Sequence, residues 1–256
     1  MDDLARQIRE SILHISHHSG HGHIPTCFSI VEMLCAVYRT MRHDPKNPRW
    51  EDRDILILSK GHAALGLYCT LAHLGYFPIE DVYAFGAFGS DFGCHADRFK
   101  VPGVELSTGS LGHGIGVAVG MALGFKMSGS TRRVHVIVGD GEANEGTVWE
   151  ALMVAANMSL GNLTVLFDNN RSQSRCLPID NPEAKFSAFG FDVSSVDGHD
   201  TDAIARALKE TSGRPRAIIA NTTKGAGCPT LVTDMFAWHR RSPNPAELKT
   251  LLGELR

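Results

Sequence analysis

Apolar residues recur along this chain with two distinct periods. Leu4, Ile8, Ile12 and Ile15 repeat at helical spacing and predict an opening helix, which ends in a Gly- and His-rich turn from Ser19 to Pro25. Ser29 and Glu32 stand at capping-box spacing and predict the start of a second helix, with Val31, Leu34, Tyr38 and Met41 as its buried stripe. Asp44 to Arg53 reads as a polar linker. The period then changes: Ile55 to Leu58 is a short continuous apolar run, as a strand covered on both faces requires, and Ser59-Lys60-Gly61-His62 leads from it into another helical stretch.

The strand, turn, helix pattern recurs. Val134 to Val138 precedes Gly139-Asp140-Gly141 and a helix around Val148 to Met158, and Leu163 to Phe167 precedes Asp168-Asn169-Asn170. Further strands near Phe191 to Val196 and Ala217 to Ala220 flank a helix from about Asp202 to Thr211, and a short helix from about residue 245 to 256 closes the chain. This alternation predicts an α/β fold, a mostly parallel sheet with helices on both faces, in one domain spanning residues 1–256. Ligands in such sheets gather beyond the carboxyl ends of the strands, where the polar tripeptides fall. Ala87 to Thr108 reads as a long loop.

Composition narrows the function classes. Lys and Arg number 25 against 28 Asp and Glu, so no basic field favours nucleic acid or an anionic membrane. The acidic start Met1-Asp2-Asp3 lacks the basic opening of a secretory signal, and the longest apolar stretch, Val117 to Phe125, is about half the ~20 residues of a membrane span. Six cysteines, without a CxxC pair and mostly among apolar neighbours, suggest reduced buried thiols. A cytoplasmic protein is expected.

The chemistry centres on Gly139-Asp140-Gly141 and Asn169-Asn170, which place a carboxylate and a carboxamide at neighbouring strand ends. Such oxygen ligands suit Mg²⁺ and the phosphates that complete its shell, while glycine lets backbone approach those phosphates. Either tripeptide alone is an ordinary turn; the pair on adjacent strands points to a site. His14, His17, His18, His21 and His23 cluster in sequence, with His14 and His18 at i, i+4, but no cysteine or carboxylate joins them and the glutamate of an HExxH zinc site is absent.

The pair resembles the diphosphate signature of the transketolase-type thiamine diphosphate enzymes, in their N-terminal, diphosphate-binding domain. Further blocks match in the family's order: Gly22-His23, Ser59-Lys60-Gly61-His62-Ala63, Cys94-His95-Ala96-Asp97, Ser107 to Gly112, Glu145-Gly146, Val196 to Asp200 and Trp238-His239. The resemblance implies thiamine diphosphate and Mg²⁺ as cofactors. The metal would be held by Asp140, Asn170 and the backbone carbonyl of Ser172. His62 would contact the diphosphate, Gly139 and Gly141 would lie against it, and Gly109 and Leu111 would touch the cofactor rings. His23, His95 and His239 would line the substrate funnel, and Glu145 would link cofactor sites across a dimer interface. Either His21 or His23 could be the funnel histidine; counting back from Glu32 favours His23.

The departures from the family pattern are His113, Glu142, Ser172 and Ser174, which together predict a more polar funnel and ring pocket. Nothing after His239 offers the pyrimidine-binding half that such enzymes need. The expected protein is therefore the N-terminal subunit of a two-subunit transketolase. It would move a two-carbon ketol unit from a ketose or ketose phosphate to an aldose together with a separate C-terminal subunit, in a heterotetramer with two copies of each. The alternatives are a subunit of a 2-oxo acid dehydrogenase or decarboxylase, which would lack the Ser59 to Ala63 and Cys94 to Asp97 blocks, and a non-catalytic module retaining the fold.

Overall fold

Each strand of the computed structural model alternates its side chains between two apolar layers. Leu56, Leu58, Ile137, Leu166 and Ile218 enter one layer, and Ile55, Ile57, Val136, Val165 and Ile219 the other. This two-sided burial is why β1 (Ile55–Leu58), β2 (Val134–Gly139) and β3 (Leu163–Asn169) read as continuous apolar runs. With β4 (Asp192–Asp197) and β5 (Arg216–Asn221) they form one sheet in the order β1-β2-β3-β5-β4, parallel throughout. The structure describes residues 3–255; Met1 and Asp2 of the acidic start, and Arg256, lie outside the described residues.

The first layer is covered by α1 (Asp3–Ser19), α2 (Ile24–Phe28), α3 (Val31–Thr40), α4 (Ala64–His73) and, later in the chain, α8 (Thr201–Lys209), α9 (Pro229–Thr233) and α10 (Pro245–Glu254). The second is covered by α5 (His113–Met127), α6 (Gly146–Asn157) and α7 (Pro182–Ala188). No regular strand or α-helix occurs between α4 and α5, a stretch holding only the 3₁₀ turn Ile79–Ala84 among the described residues. No described helix is long and apolar enough to cross a membrane.

One local expectation is overturned. Ser29 and Glu32 form no capping box: the chain breaks into α2 and α3, and Ile30 precedes α3 without a side-chain cap. Long-range partners claim both residues. The Ser29 hydroxyl donates to Asp168 Oδ2 (2.7 Å), and Glu32 receives the buried Arg9 guanidinium through two bonds (2.6 and 2.8 Å). The true capping box is at α10, between Asn244 and Glu247.

Candidate active site

Asp168, fully buried at the end of β3, organises the carboxyl edge of the sheet. It accepts hydrogen bonds from Ser29 (2.7 Å), Thr222 Oγ1 beyond β5 (2.5 Å) and Asn170 Nδ2 (2.8 Å), and it pairs with Lys60 Nζ at 2.5 Å. Lys60 is 1% exposed and also donates to the carbonyl of Thr26 (3.2 Å). A buried charge is tolerated when partners satisfy it in this way. The arrangement holds Asn170 by its amide nitrogen and turns Oδ1 to the Ser172 N–H at 3.0 Å.

Asp140, Asn170 and Ser172 come together. The Ser172 hydroxyl donates to Asp140 Oδ1 (2.5 Å), which also accepts the Gly141 N–H (2.8 Å), and the Gln173 N–H reaches Asp140 Oδ2 (3.2 Å). The donors are oxygens of one carboxylate, one carboxamide and a serine, a hard set that fits Mg²⁺. At Gly141 a Cβ would stand 2.8 Å from Gln173 Nε2, so a side chain there would displace the Gln173 amide from beside Asp140. Among the described residues no group of three His, Cys, Asp or Glu side chains gathers as a metal cluster. In particular, His17 turns to the carbonyl of Pro243 and His18 to the Tyr83 ring, so the N-terminal histidines fan apart.

A second cluster is made of imidazoles. The His23 ring lies 5.1 Å from that of His239 and 5.6 Å from that of His62, and the latter two are 6.1 Å apart. Gly22 permits this: a Cβ there would sit 2.4 Å from the Arg240 carbonyl carbon, and the adjoining His23 N–H donates to the His239 carbonyl at 3.0 Å. Gly61 likewise lets the loop bearing His62 meet the backbone of Thr108 and Gly109, and the His95 ring packs over Gly109. His21 takes no part in the cluster. It packs on Phe85, and its Nδ1 lies 3.6 Å from Cys94 Sγ.

Burial and neighbouring cations keep the His23, His62 and His239 rings neutral. Burial, then Lys60, lowers His62 to about 2. Burial, then Lys224, lowers His239 to about 4, and burial, then His95, lowers His23. Lys224 is itself lowered to about 8 by burial and by Lys60, and its Nζ lies 3.4 Å from His239 Nδ1. A neutral imidazole can donate at one nitrogen and accept at the other.

Glu142 corrects one expectation. Its carboxylate does not add polarity to an open pocket: it is buried and consumed by Ser59 Oγ (2.5 Å) and the N–H groups of Gly112 (2.9 Å) and Gly139 (3.2 Å). It thereby ties together the ends of β1 and β2 and the start of α5, and burial raises its pKa against those three bonds. Leu111 is half-buried beside this junction, whereas Glu145, His113 and Ser174 are exposed. Lys60, Lys224, Asp168, Ser29 and Thr222 are missing from the sequence-derived site. Lys60 and Thr222 to Lys224 follow strands directly, which was the available signal.

The fold and cradle define a parallel α/β domain that presents hard oxygen ligands, buried lysines and neutral histidines at the carboxyl ends of its strands. A family model described as the thiamine diphosphate binding domain of transketolase matches residues 2–242, and the chain belongs to that family. It is 39% identical over 265 residues to an apulose-4-phosphate transketolase subunit from Actinobacillus succinogenes, covering all of this chain and 96% of that one. It is 41% identical over 232 residues to the 6-deoxy-6-sulfo-D-fructose transketolase subunit SqwG of a Clostridium species, covering 87% and 84% of the two chains. Among solved structures, a transketolase from Campylobacter jejuni superposes with a TM-score of 0.89 at 29% identity, over 99% of this chain and 42% of that one. A transketolase variant from Pichia stipitis gives 0.90 at 29% identity, over 97% and 39%. The chain thus spans about two fifths of those solved chains.

Proposed function

We propose that this chain is the diphosphate-binding subunit of a two-subunit transketolase, acting as one unit in the cytoplasm with a separate pyrimidine-binding subunit, two copies of each per assembly. The observation that carries the reading is the placement of Asp140, Asn170 and Ser172 in one cradle beside the His23, His62 and His239 cluster. The names of the two relatives, each a transketolase subunit, support the division of labour. Buried thiols at Cys27, Cys69 and Cys228 suit a reducing compartment.

Asp140, Asn170 and the Ser172 carbonyl would hold Mg²⁺, and His62 and Lys224 would face the diphosphate, the lysine offsetting part of its charge. The chemistry that thiamine diphosphate supplies when bound is a carbanion at its thiazolium ring. His23, His95 and His239 would orient the donor and acceptor hydroxyls and carbonyls and pass protons among them, as imidazoles can. Glu145 would meet its counterpart across the dimer axis. The donor would be a ketose ending in an anionic group, since the names of the two relatives specify a phosphate and a sulfonate.

The test is reconstitution. Ketol transfer from such a donor to an aldose phosphate should appear on mixing the chain with its pyrimidine-binding partner, Mg²⁺ and thiamine diphosphate, and should vanish with Asp140→Ala or Asn170→Ala. Wild-type turnover from either variant defeats the metal assignment.

A further inference from the structure

Between the segment preceding β1 and the long loop preceding α5 lies a cavity of about 490 Å³ that shares no residue with the cradle. Lys46 and Arg49 line one wall, Arg98 and Lys100 the other, and Val101 and Val104 belong to its lining. The one carboxylate there, Glu105, is already held by Arg53 through two bonds of 2.6 and 2.8 Å. Among the described residues, none of the other four cations forms an ion pair. Lys100 reaches only the Ser90 carbonyl, at 3.4 Å, and Arg98 lies over the exposed Phe99 ring.

Four unpaired cations around one concavity run against the sign of the whole chain, whose formal net charge is -3. Like charges around one concavity repel, and the concave wall concentrates their field, so an anion that neutralises several at once is favoured. The loop supplying half of them is held in shape at its base. The Arg98 N–H donates to Ser107 Oγ (3.0 Å), that hydroxyl donates to Asp97 Oδ1 (3.1 Å), and the Thr108 N–H donates to the Ala96 carbonyl (3.0 Å). Asp97 is occupied within the loop and does not line the groove. Such preorganisation lowers the ordering cost of binding.

We propose that this groove is a second anion site, for a small phosphorylated compound distinct from the cofactor. Its volume falls within the ~300–1,000 Å³ common for small-ligand pockets. Paired guanidinium and ammonium groups are the usual recognition elements for phosphate oxygens, and the apolar lining suits a short carbon skeleton. The inference stands apart from the proposed ketol transfer, because binding is read without turnover.

The probe is inorganic tripolyphosphate, titrated calorimetrically into the chain without Mg²⁺ or thiamine diphosphate. Because the cradle could also attract it, three proteins are compared: wild type, Asp140→Ala/His62→Ala, and Lys46→Gln/Arg49→Gln/Arg98→Gln/Lys100→Gln. All four groove positions are exposed, so the last should fold normally, which circular dichroism checks. Saturable binding that survives in the cradle variant and weakens at least tenfold in the groove variant, with tripolyphosphate-dependent amide shifts at Gly103, is the expected result. Equal affinity in wild type and the groove variant, loss in the cradle variant, or uptake that never saturates overturns the site.

Discussion

Lys60 shows how much one side chain can carry. Its ammonium is the only cation bonded to the buried Asp168 carboxylate among the described residues, and that carboxylate in turn orients Asn170. Lys60→Met should therefore lower unfolding free energy by ~3–5 kcal/mol in urea titrations, the cost of stranding one member of a buried pair. Asp140→Ala loses hydrogen bonds to a half-exposed loop, so about 1–2 kcal/mol is expected, while Mg²⁺-dependent cofactor binding is lost. A Lys60→Met protein as stable as wild type would remove the pair from its structural role. Lys224 adds a pH signature. Its pKa is depressed to about 8, so it is charged below that pH and neutral above it. Affinity for thiamine diphosphate should accordingly fall as pH rises through about 8. In Lys224→Met it should be roughly ten- to a hundredfold weaker at pH 7 and flatter across that range, as expected for one lost charge-assisted bond.

Among the elements, the central strands were legible because burial on both faces leaves only apolar residues, as in Ile55-Leu56-Ile57-Leu58. β4 was weaker in sequence, Asp192-Val193-Ser194-Ser195-Val196-Asp197, because it lies at the sheet edge and is only partly buried. The grouping of Asp140, Asn170 and Ser172 was legible because Gly139-Asp140-Gly141 and Asn169-Asn170 close adjacent strands, whereas His23 and His239 lie between helices and were reached only through the family resemblance. What stayed hidden was settled by distant partners: Ser29 looked like a cap but bonds Asp168, 139 positions away, and Glu142 looked like a change in a pocket but is a buried tie. His135 in β2 was concealed in the same way within an apolar run. It is fully buried, its Nδ1 has no hydrogen-bond partner, and burial, then Arg133, lowers its pKa to about 4. A histidine depressed in the folded state takes up its proton more readily when unfolded, so its titration costs nothing at neutral pH and destabilises progressively as pH falls from about 6.5 to 4. The loss should reach roughly 3 kcal/mol. His135→Leu should match wild type within about 1 kcal/mol at pH 7 and stay more stable than wild type at pH 4.5; parallel acid profiles for the two proteins would show that His135 contributes no such term.

At the scale of the whole molecule, α5 carries a feature that isolated-chain stability does not explain. Gly116, Gly120 and Gly124 repeat every fourth residue on its exposed side, beside the exposed Val117 and Met127, and no atom lies within 4 Å of a Cβ built on any of the three. Each glycine in a helix interior costs about 1 kcal/mol relative to alanine, so an exposed row of them weakens the helix unless close backbone approach recovers the loss. Gly112, the N-cap of α5, is tied through Glu142 to the ends of β1 and β2, so the helix begins at the carboxyl edge of the sheet. If the site is completed by a second subunit, α5 is where a neighbouring helix can come near. Gly120→Leu should then leave the lone chain as stable as wild type or up to ~1 kcal/mol more stable, while sedimentation of the mixture with partner shows at least tenfold weaker assembly. Thiamine diphosphate with Mg²⁺ should tighten the wild-type assembly, because a ligand that binds only the assembled state stabilises it by mass action. The same ligand should recover part of the Gly120→Leu assembly, since that substitution leaves the cradle intact. Undiminished assembly by Gly120→Leu would show that the glycine row faces solvent in the working enzyme, and full ketol transfer by the lone chain would show that no second subunit is needed.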